Sequence, residues 1–288
     1  MSGGTGLEFV AADGTVLVYD DLGDADSGLA PVVLVHGHPF DRTMWQPQTD
    51  ALVAAGRRVI TADLRGYGAS GVVPGRTLLA DFAADATALL DRLGIARAVV
   101  GGLSMGGQIV MEFHRSFPER VAALVLADTS PAAETEEGRA VRNRMADRLL
   151  AEGMDGYAAE VLDRMLAPYN VTALPGVAAQ VSGMMRATAP EGAAAALRGR
   201  AERPDYRASL AGARVPVLVV VGADDGYTPV AEARETQELI PHAELVVVEG
   251  AGHMPNLERP EAFNDALLRF LRDGRQGLAA GACLPDRP

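Results

Sequence analysis

Six stretches of this chain are almost continuously apolar and bounded by turn residues: 32–35, 58–62, 98–100, 121–127, 217–221 and 245–248. Where apolar and polar residues do not alternate, both faces of a strand are buried, as in a parallel sheet covered on two sides. Two shorter strand-like stretches, 7–11 and 16–19, come first and are joined through Asp13-Gly14, a hairpin signal. Between the runs lie segments of helical apolar period, 78–93, 108–117, 230–240 and 260–271. Strand and helix in alternation predict an α/β fold, with a mostly parallel sheet of about eight strands flanked by helices. In such sheets the ligand crevice lies beyond the carboxyl ends of the strands.

One segment breaks the alternation. Residues 131–205 contain no strand-like run, only Ala-, Arg-, Met- and Leu-rich helical sequence punctuated by Pro168, Pro175 and Pro190. This stretch is expected to form a helical cap over the carboxyl edge of the sheet, with 1–130 and 206–272 as the core and 273–288 as a flexible Gly/Ala/Pro-rich tail. Five of the ten methionines fall in it, Met145, Met154, Met165, Met184 and Met185. Such polarisable, flexible side chains suit either helix packing or an adaptable apolar pocket.

Composition narrows the function. The chain has 288 residues, 48% of them hydrophobic, enough for a sizeable core. No apolar run reaches the roughly 18 residues of a membrane span, and residues 1–6 lack the basic start and apolar core of a secretory signal, so a cytoplasmic protein is expected. A formal net charge of −12 argues against a nucleic-acid-binding surface. All 26 basic residues are arginine, which excludes Schiff-base chemistry on a lysine. The single cysteine, Cys283, excludes an intramolecular disulfide and a cysteine zinc cluster. Neither a metal nor a cofactor is expected.

Gly102-Leu103-Ser104-Met105-Gly106 sits between the apolar run 98–100 and the helical segment 108–117. A G-x-S-x-G pentapeptide gains meaning in that context, because a sharp strand-to-helix turn lifts the serine hydroxyl above the sheet edge. A serine needs a base to become a nucleophile. Of the five histidines, His114 falls inside the following helix and His242 in a turn before a strand; His36 and His38 follow the run 32–35, and His253 follows the last strand. His253 is the better base, being at the crevice edge. A carboxylate must fix its tautomer. Asp225, Asp128 and Asp224 all follow apolar runs and all remain open on pattern, with Asp225 preferred; the chain order Ser104, Asp225, His253 fits.

With these residues placed, the chain resembles the α/β-hydrolases, in the branch holding cofactor-free esterases, lactonases and haloperoxidase-like perhydrolases. The resemblance is carried by Val35-His36-Gly37-His38-Pro39, Asp63-Leu64-Arg65-Gly66-Tyr67-Gly68-Ala69-Ser70, Gly102-Leu103-Ser104-Met105-Gly106-Gly107, Gly222-Ala223-Asp224-Asp225-Gly226-Tyr227-Thr228-Pro229 and Ala251-Gly252-His253-Met254-Pro255-Asn256. In similar proteins the acid stands three residues after a glycine and four before a proline, which Asp225 satisfies and Asp224 does not. The resemblance implies a catalytic triad of Ser104, Asp225 and His253, and an oxyanion hole from the backbone N–H groups of His38 and Met105. It makes His36 and the segment 63–70 scaffold. His38, Phe40, Met145, Met165 and Met254 are expected to line the substrate pocket.

The implied activity is hydrolysis of a small carboxylic ester or lactone through an acyl-enzyme on Ser104. Dehalogenases and epoxide hydrolases of similar fold use an aspartate nucleophile, which this turn lacks. The segment 102–107 and the arginine-bearing stretch 198–207 are similar to 3-oxoadipate enol-lactonases, and Pro39 resembles perhydrolases, so both activities stand as alternatives. A binding protein that senses a ligand by slow hydrolysis is the alternative of another class. Turnover below roughly 10⁻² per second, against the usual 1–10³, would mark it.

Overall fold

A computed structural model describes residues 3–273; Cys283 and most of the expected tail lie outside the described residues. The hairpin is longer than its apolar pattern suggests, β1 spanning Gly4–Val10 and β2 Val16–Leu22, with Val10 opposite Val16 across the turn. There follow β3 (Val32–Val35), helix α1 (Gln46–Ala54), β4 (Val59–Ala62), α2 (Leu79–Arg92), β5 (Ala98–Leu103), α3 (Met105–Ser116) and β6 (Val121–Ala127). Five helices come next: α4 (Glu136–Glu152), α5 (Asp155–Met165), α6 (Pro168–Ala173), α7 (Pro175–Ala187) and α8 (Pro190–Arg200). The short α9 (Arg207–Ala211) leads into β7 (Val217–Gly222), α10 (Val230–Leu239), β8 (Glu244–Val248), α11 (Pro255–Glu258) and α12 (Pro260–Asp273).

The eight strands form one sheet in the order β1-β2-β4-β3-β5-β6-β7-β8, antiparallel at β1 and β2 and parallel from there on. Every residue of β3, β5, β6 and β7 is buried, as the unbroken apolar runs require. The pleat still divides them. Val32, Leu34, Val99, Val125 and Leu218 pack into one hydrophobic cluster, while Val33, Val35, Val100, Leu124 and Val219 pack into the other. Each such side chain contributes about 1.5–3 kcal/mol of hydrophobic stabilisation, so the central strands anchor both layers. No helix among the described residues is long and apolar enough to cross a membrane.

Between β6 and β7 the proline-punctuated stretch is helical, and the prolines start helices rather than separate them. Pro168, Pro175 and Pro190 are each the first residue of a helix, where the missing N–H is no loss and the fixed φ fits. Thr135 caps α4 by accepting from the Gly138 N–H at 2.9 Å, and Gly153, at φ 76°, ends it. This helical segment is pressed onto the loops at the strand ends. A Cβ on Gly192 would lie 2.0 Å from the Gly66 carbonyl oxygen, and one on Gly199 would lie 1.5 Å from that of Thr77.

Two features depart from the hydrophobic pattern. Helix α3 begins at Met105, three residues before its apolar period, because Gly106 and Gly107, poor helix formers, hide the first turn. Helix α1 gave no periodic signal because two of its three buried residues, Gln48 and Thr49, are polar.

Candidate active site

Strand β5 ends at Leu103 and α3 begins at Met105, so Ser104 alone makes the turn between them. It does so at φ 57° and ψ −116°, a conformation that costs a non-glycine residue roughly 1–3 kcal/mol. The turn is held from several sides. The Ser104 N–H donates to the Ala127 carbonyl at 2.9 Å, and its own carbonyl accepts from the Thr129 hydroxyl at 2.8 Å and the Gln108 N–H at 3.1 Å. Close approach explains the flanking glycines. A Cβ on Gly102 would lie 2.3 Å from the carbonyl carbon of Gly106, and one on Gly106 would lie 2.2 Å from the Val35 oxygen. The turn after β3 therefore rests directly on the serine turn, with the position of a Gly37 Cβ only 3.4 Å from the Ser104 Cβ.

The turns after β7 and β8 meet in the same manner, since a Cβ on Gly222 would lie 1.9 Å from the Gly252 oxygen. Across that contact His253 Nδ1 lies 2.8 Å from Asp225 Oδ2, both side chains being buried. The other Asp225 oxygen accepts from the Tyr227 N–H at 2.7 Å. Burial alone would raise the Asp225 carboxyl, but the charge and hydrogen bond of His253, with the N–H groups of Tyr227 and Thr228, outweigh it and hold it below its usual value. With Nδ1–H donating to this carboxylate, Nε2 of His253 is the ring atom left to accept a proton. Asp224, in contrast, is exposed and accepts from the Tyr169 hydroxyl at 2.5 Å.

Asp128 is a third carboxyl beside the pair. It sits at φ 47° directly after β6, accepts from the Gly222 N–H at 2.9 Å, and leaves its second oxygen without a protein partner. Burial, then the charge of Asp225, push it well above the usual carboxylate range, which favours its keeping a proton. One ligand atom each from Asp128, Asp225 and His253 lie within 4.8 Å of one another. Asp225 and His253 are already hydrogen-bonded to each other, so the set suits proton sharing better than holding a cation.

The remaining histidines separate cleanly. His36 accepts the Leu64 N–H at Nε2 (2.9 Å) and donates from Nδ1 to the Gly37 carbonyl (2.9 Å), joining two loops. His38 is buried, its Nδ1 lies 2.8 Å from the Tyr67 hydroxyl, and its Nε2 has no protein partner. Burial, then the positive charges of Arg200 and Arg142, hold His38 well below its usual value and keep it neutral. His114 packs near the Ser209 hydroxyl and His242 is exposed, bonded to the Val215 carbonyl.

Ser104, His253 and His38 all line one cavity of about 540 Å³. Met145 and Met165 line it too, from α4 and α5. Phe40 and Met254 do not. Both are fully buried in the hydrophobic core, Phe40 because its N–H closes a tight turn onto the Gly37 carbonyl, Met254 because it leads into α11. The pattern of the sequence gave no notice of Tyr157, Arg142 and Arg164, which also line the cavity. Of the arginine-bearing stretch 198–207, only Arg200 and Arg203 face the cavity; Arg198 pairs with Asp147 and Arg207 with Asp205.

A model of the α/β hydrolase fold family matches residues 30–260. The chain belongs to that family. Among the curated relatives of this α/β hydrolase is 3-oxoadipate enol-lactonase 2 of Acinetobacter baylyi, 33% identical over 258 residues that cover 90% of this chain and 94% of the relative. A thermophilic esterase from Thermogutta terrifontis, solved with malate bound, superposes with a TM-score of 0.88 at 36% identity, over 95% of this chain and 99% of that one. The enol-lactonase of Burkholderia xenovorans matches with a TM-score of 0.84 at 31% identity, over 92% and 100%.

Proposed function

We propose that this α/β hydrolase cleaves a small carboxylic ester or lactone through an acyl-enzyme on Ser104, with His253 as base and Asp225 as the carboxylate that orients it. One observation carries the reading: the buried His253–Asp225 pair opens onto the same cavity as a serine held alone at a left-handed strand-to-helix turn. Esterases and enol-lactonases among the relatives support the substrate class.

The steps follow from the groups present. Nε2 of His253 takes the Ser104 proton as Oγ attacks the carbonyl carbon, and the imidazolium that forms is stabilised by Asp225. The negative charge that develops on the carbonyl oxygen falls to the backbone N–H groups of His38 and Met105. Their two turns lie against each other at Gly37 and Gly106, which supports both donors serving one oxygen. His253 then returns the proton to the departing alkoxide. Water, activated by His253, attacks the acyl carbon and frees the acid and Ser104.

The test is turnover of a p-nitrophenyl ester by wild type and Ser104→Ala. Ser104→Ala should lose about 10⁴-fold or more in kcat while keeping its Tm within a degree or two. A variant that retains wild-type rate would overturn the nucleophile. Wild-type turnover below roughly 10⁻² per second on a panel of esters and lactones would favour the ligand-sensing alternative.

A further inference from the structure

Arg200, the last residue of α8, is an unusually placed charge. It is only 9% exposed, and its one hydrogen bond among the described residues is from Nε to the neutral Gln108 Oε1, at 3.1 Å. No carboxylate of the described residues lies within ion-pair distance of it. Its charged neighbours are of the same sign, Arg142 and Arg203, and those two share a single carboxylate, Glu134. Buried cations are ordinarily paired, because an isolated one forfeits hydration without return. Three guanidinium groups around one carboxylate leave this corner of the cavity short of negative charge.

The location of that corner matters. Gln108 stands four residues after Ser104 on α3, one turn along the helix, and Arg200 is tied to it. Both face the cavity that holds Ser104 and His253. With Nε committed to Gln108, the two terminal nitrogens are the donors left for a ligand, and a planar pair of N–H groups matches a carboxylate in bidentate fashion. His38, on the same wall and within reach of the Arg200 charge, adds an unpartnered Nε2. Of the other charges on the wall, Glu160 pairs with Arg148, Arg164 lies 4.1 Å over the Tyr227 ring, and Glu232, in the first turn of α10, bears on Arg203 rather than on Arg200.

We infer that Arg200 anchors a carboxylate carried on the acyl side of the substrate, so that the preferred esters or lactones are anions with a free carboxylate a few carbons from the scissile carbonyl. The acyl side is assigned because the anchor is buried, and the acyl group is the part that stays attached to Ser104 until water arrives. This rests on the Ser104 reading of the site. It adds to that reading a specificity residue that lies in no motif. The burial that makes Arg200 a poor stabiliser of the free protein makes it a strong and selective partner once an anion displaces water from it.

Two p-nitrophenyl esters of equal chain length test it, the neutral pentanoate and the glutarate monoester. Wild type should favour the glutarate in kcat/KM by at least tenfold, and the advantage should shrink with added salt. In Arg200→Met the glutarate-to-pentanoate ratio should fall at least thirtyfold, with Arg200→Lys restoring part of it. Equal rates on both esters in wild type, or an unchanged ratio in Arg200→Met, would overturn the proposal. Calorimetric titration of free glutarate into wild type needs neither turnover nor a variant. It should show 1:1 binding that weakens at least tenfold in Arg200→Met. Glutarate binding without hydrolysis of either ester would uphold the anion subsite and refute the Ser104 reading; hydrolysis of the pentanoate without glutarate binding would do the reverse.

Discussion

The carboxyl edge of the sheet and the helical segment above it furnish the same cavity by different means. At the sheet edge, side chains are aimed by turns so tight that glycine alone fits: Gly102 and Gly106 around Ser104, Gly222 beside Gly252 beneath Asp225 and His253. In the helical segment the wall residues Met145, Tyr157 and Arg200 project from ordinary helices, α4, α5 and α8, that could carry other side chains without changing their path. On the proposed mechanism the bond-breaking groups belong to the rigid region and the substrate's fit to the adaptable one. Geometry at the sheet edge must hold to a fraction of an ångström, whereas selectivity can be altered by single substitutions above it.

Glycine substitutions break the comparison most directly. Gly106→Ala places a methyl 2.2 Å from the Val35 oxygen, and overpacking of that kind costs about 3 kcal/mol, a Tm drop of roughly 5–10 °C. Gly183, exposed in α7 with nothing near its missing Cβ, should behave oppositely, Gly183→Ala gaining about 0.5–1 kcal/mol from helix propensity. Thermal unfolding of both variants checks the pair. Equal and small effects would mean that the serine turn has slack that the fold denies it.

Asp128 sharpens the contrast within the rigid region. Its folded-state value is raised, so the stability it contributes is present below about pH 4 and is lost as pH rises through that raised value. At neutral pH the unfolded chain has shed this proton, whereas the raised folded-state value favours keeping it. Asp128→Asn preserves the size of the side chain and has no proton to gain or lose. It should match wild type near pH 4.5 and exceed it by a few degrees in Tm at pH 8; a constant offset across that range would refute the raised value.

A smaller effect attaches to His38. Its folded-state value is lowered, so below about pH 6.5 the unfolded chain binds a proton that the folded chain excludes, and stability falls as pH falls. The slope from this one residue is at most about 1.4 kcal/mol per pH unit. His38→Gln should remove it from the pH 5–6.5 limb of the stability curve. An unchanged limb would mean that His38 charges in place.

These differences also explain what could be read from the chain. The buried strands show as unbroken apolar runs because both faces are covered, and Gly222, three residues before Asp225, is glycine because a Cβ there would lie 1.9 Å from the Gly252 oxygen. Local backbone demands leave local residue signatures. Asp128 and the stretch 198–207 that holds Arg200 could be picked out, but not what makes the two residues unusual, which is the company they keep across 94 residues to Gly222 and 92 to Gln108. Phe40 and Met254 were expected in the pocket for lying next to motif residues. Adjacency in sequence at a tight turn instead sends alternate side chains to opposite sides, here into the core. Helix α11 escaped notice because its single turn is too short to show a period.

The central claim is that Ser104 is an activated nucleophile facing this cavity. Intact-protein mass after exposure to a fluorophosphonate, on wild type and Ser104→Ala, measures it most directly. A single adduct on wild type and none on Ser104→Ala is the predicted result; no adduct on folded wild type, or an equal adduct on Ser104→Ala, would contradict it.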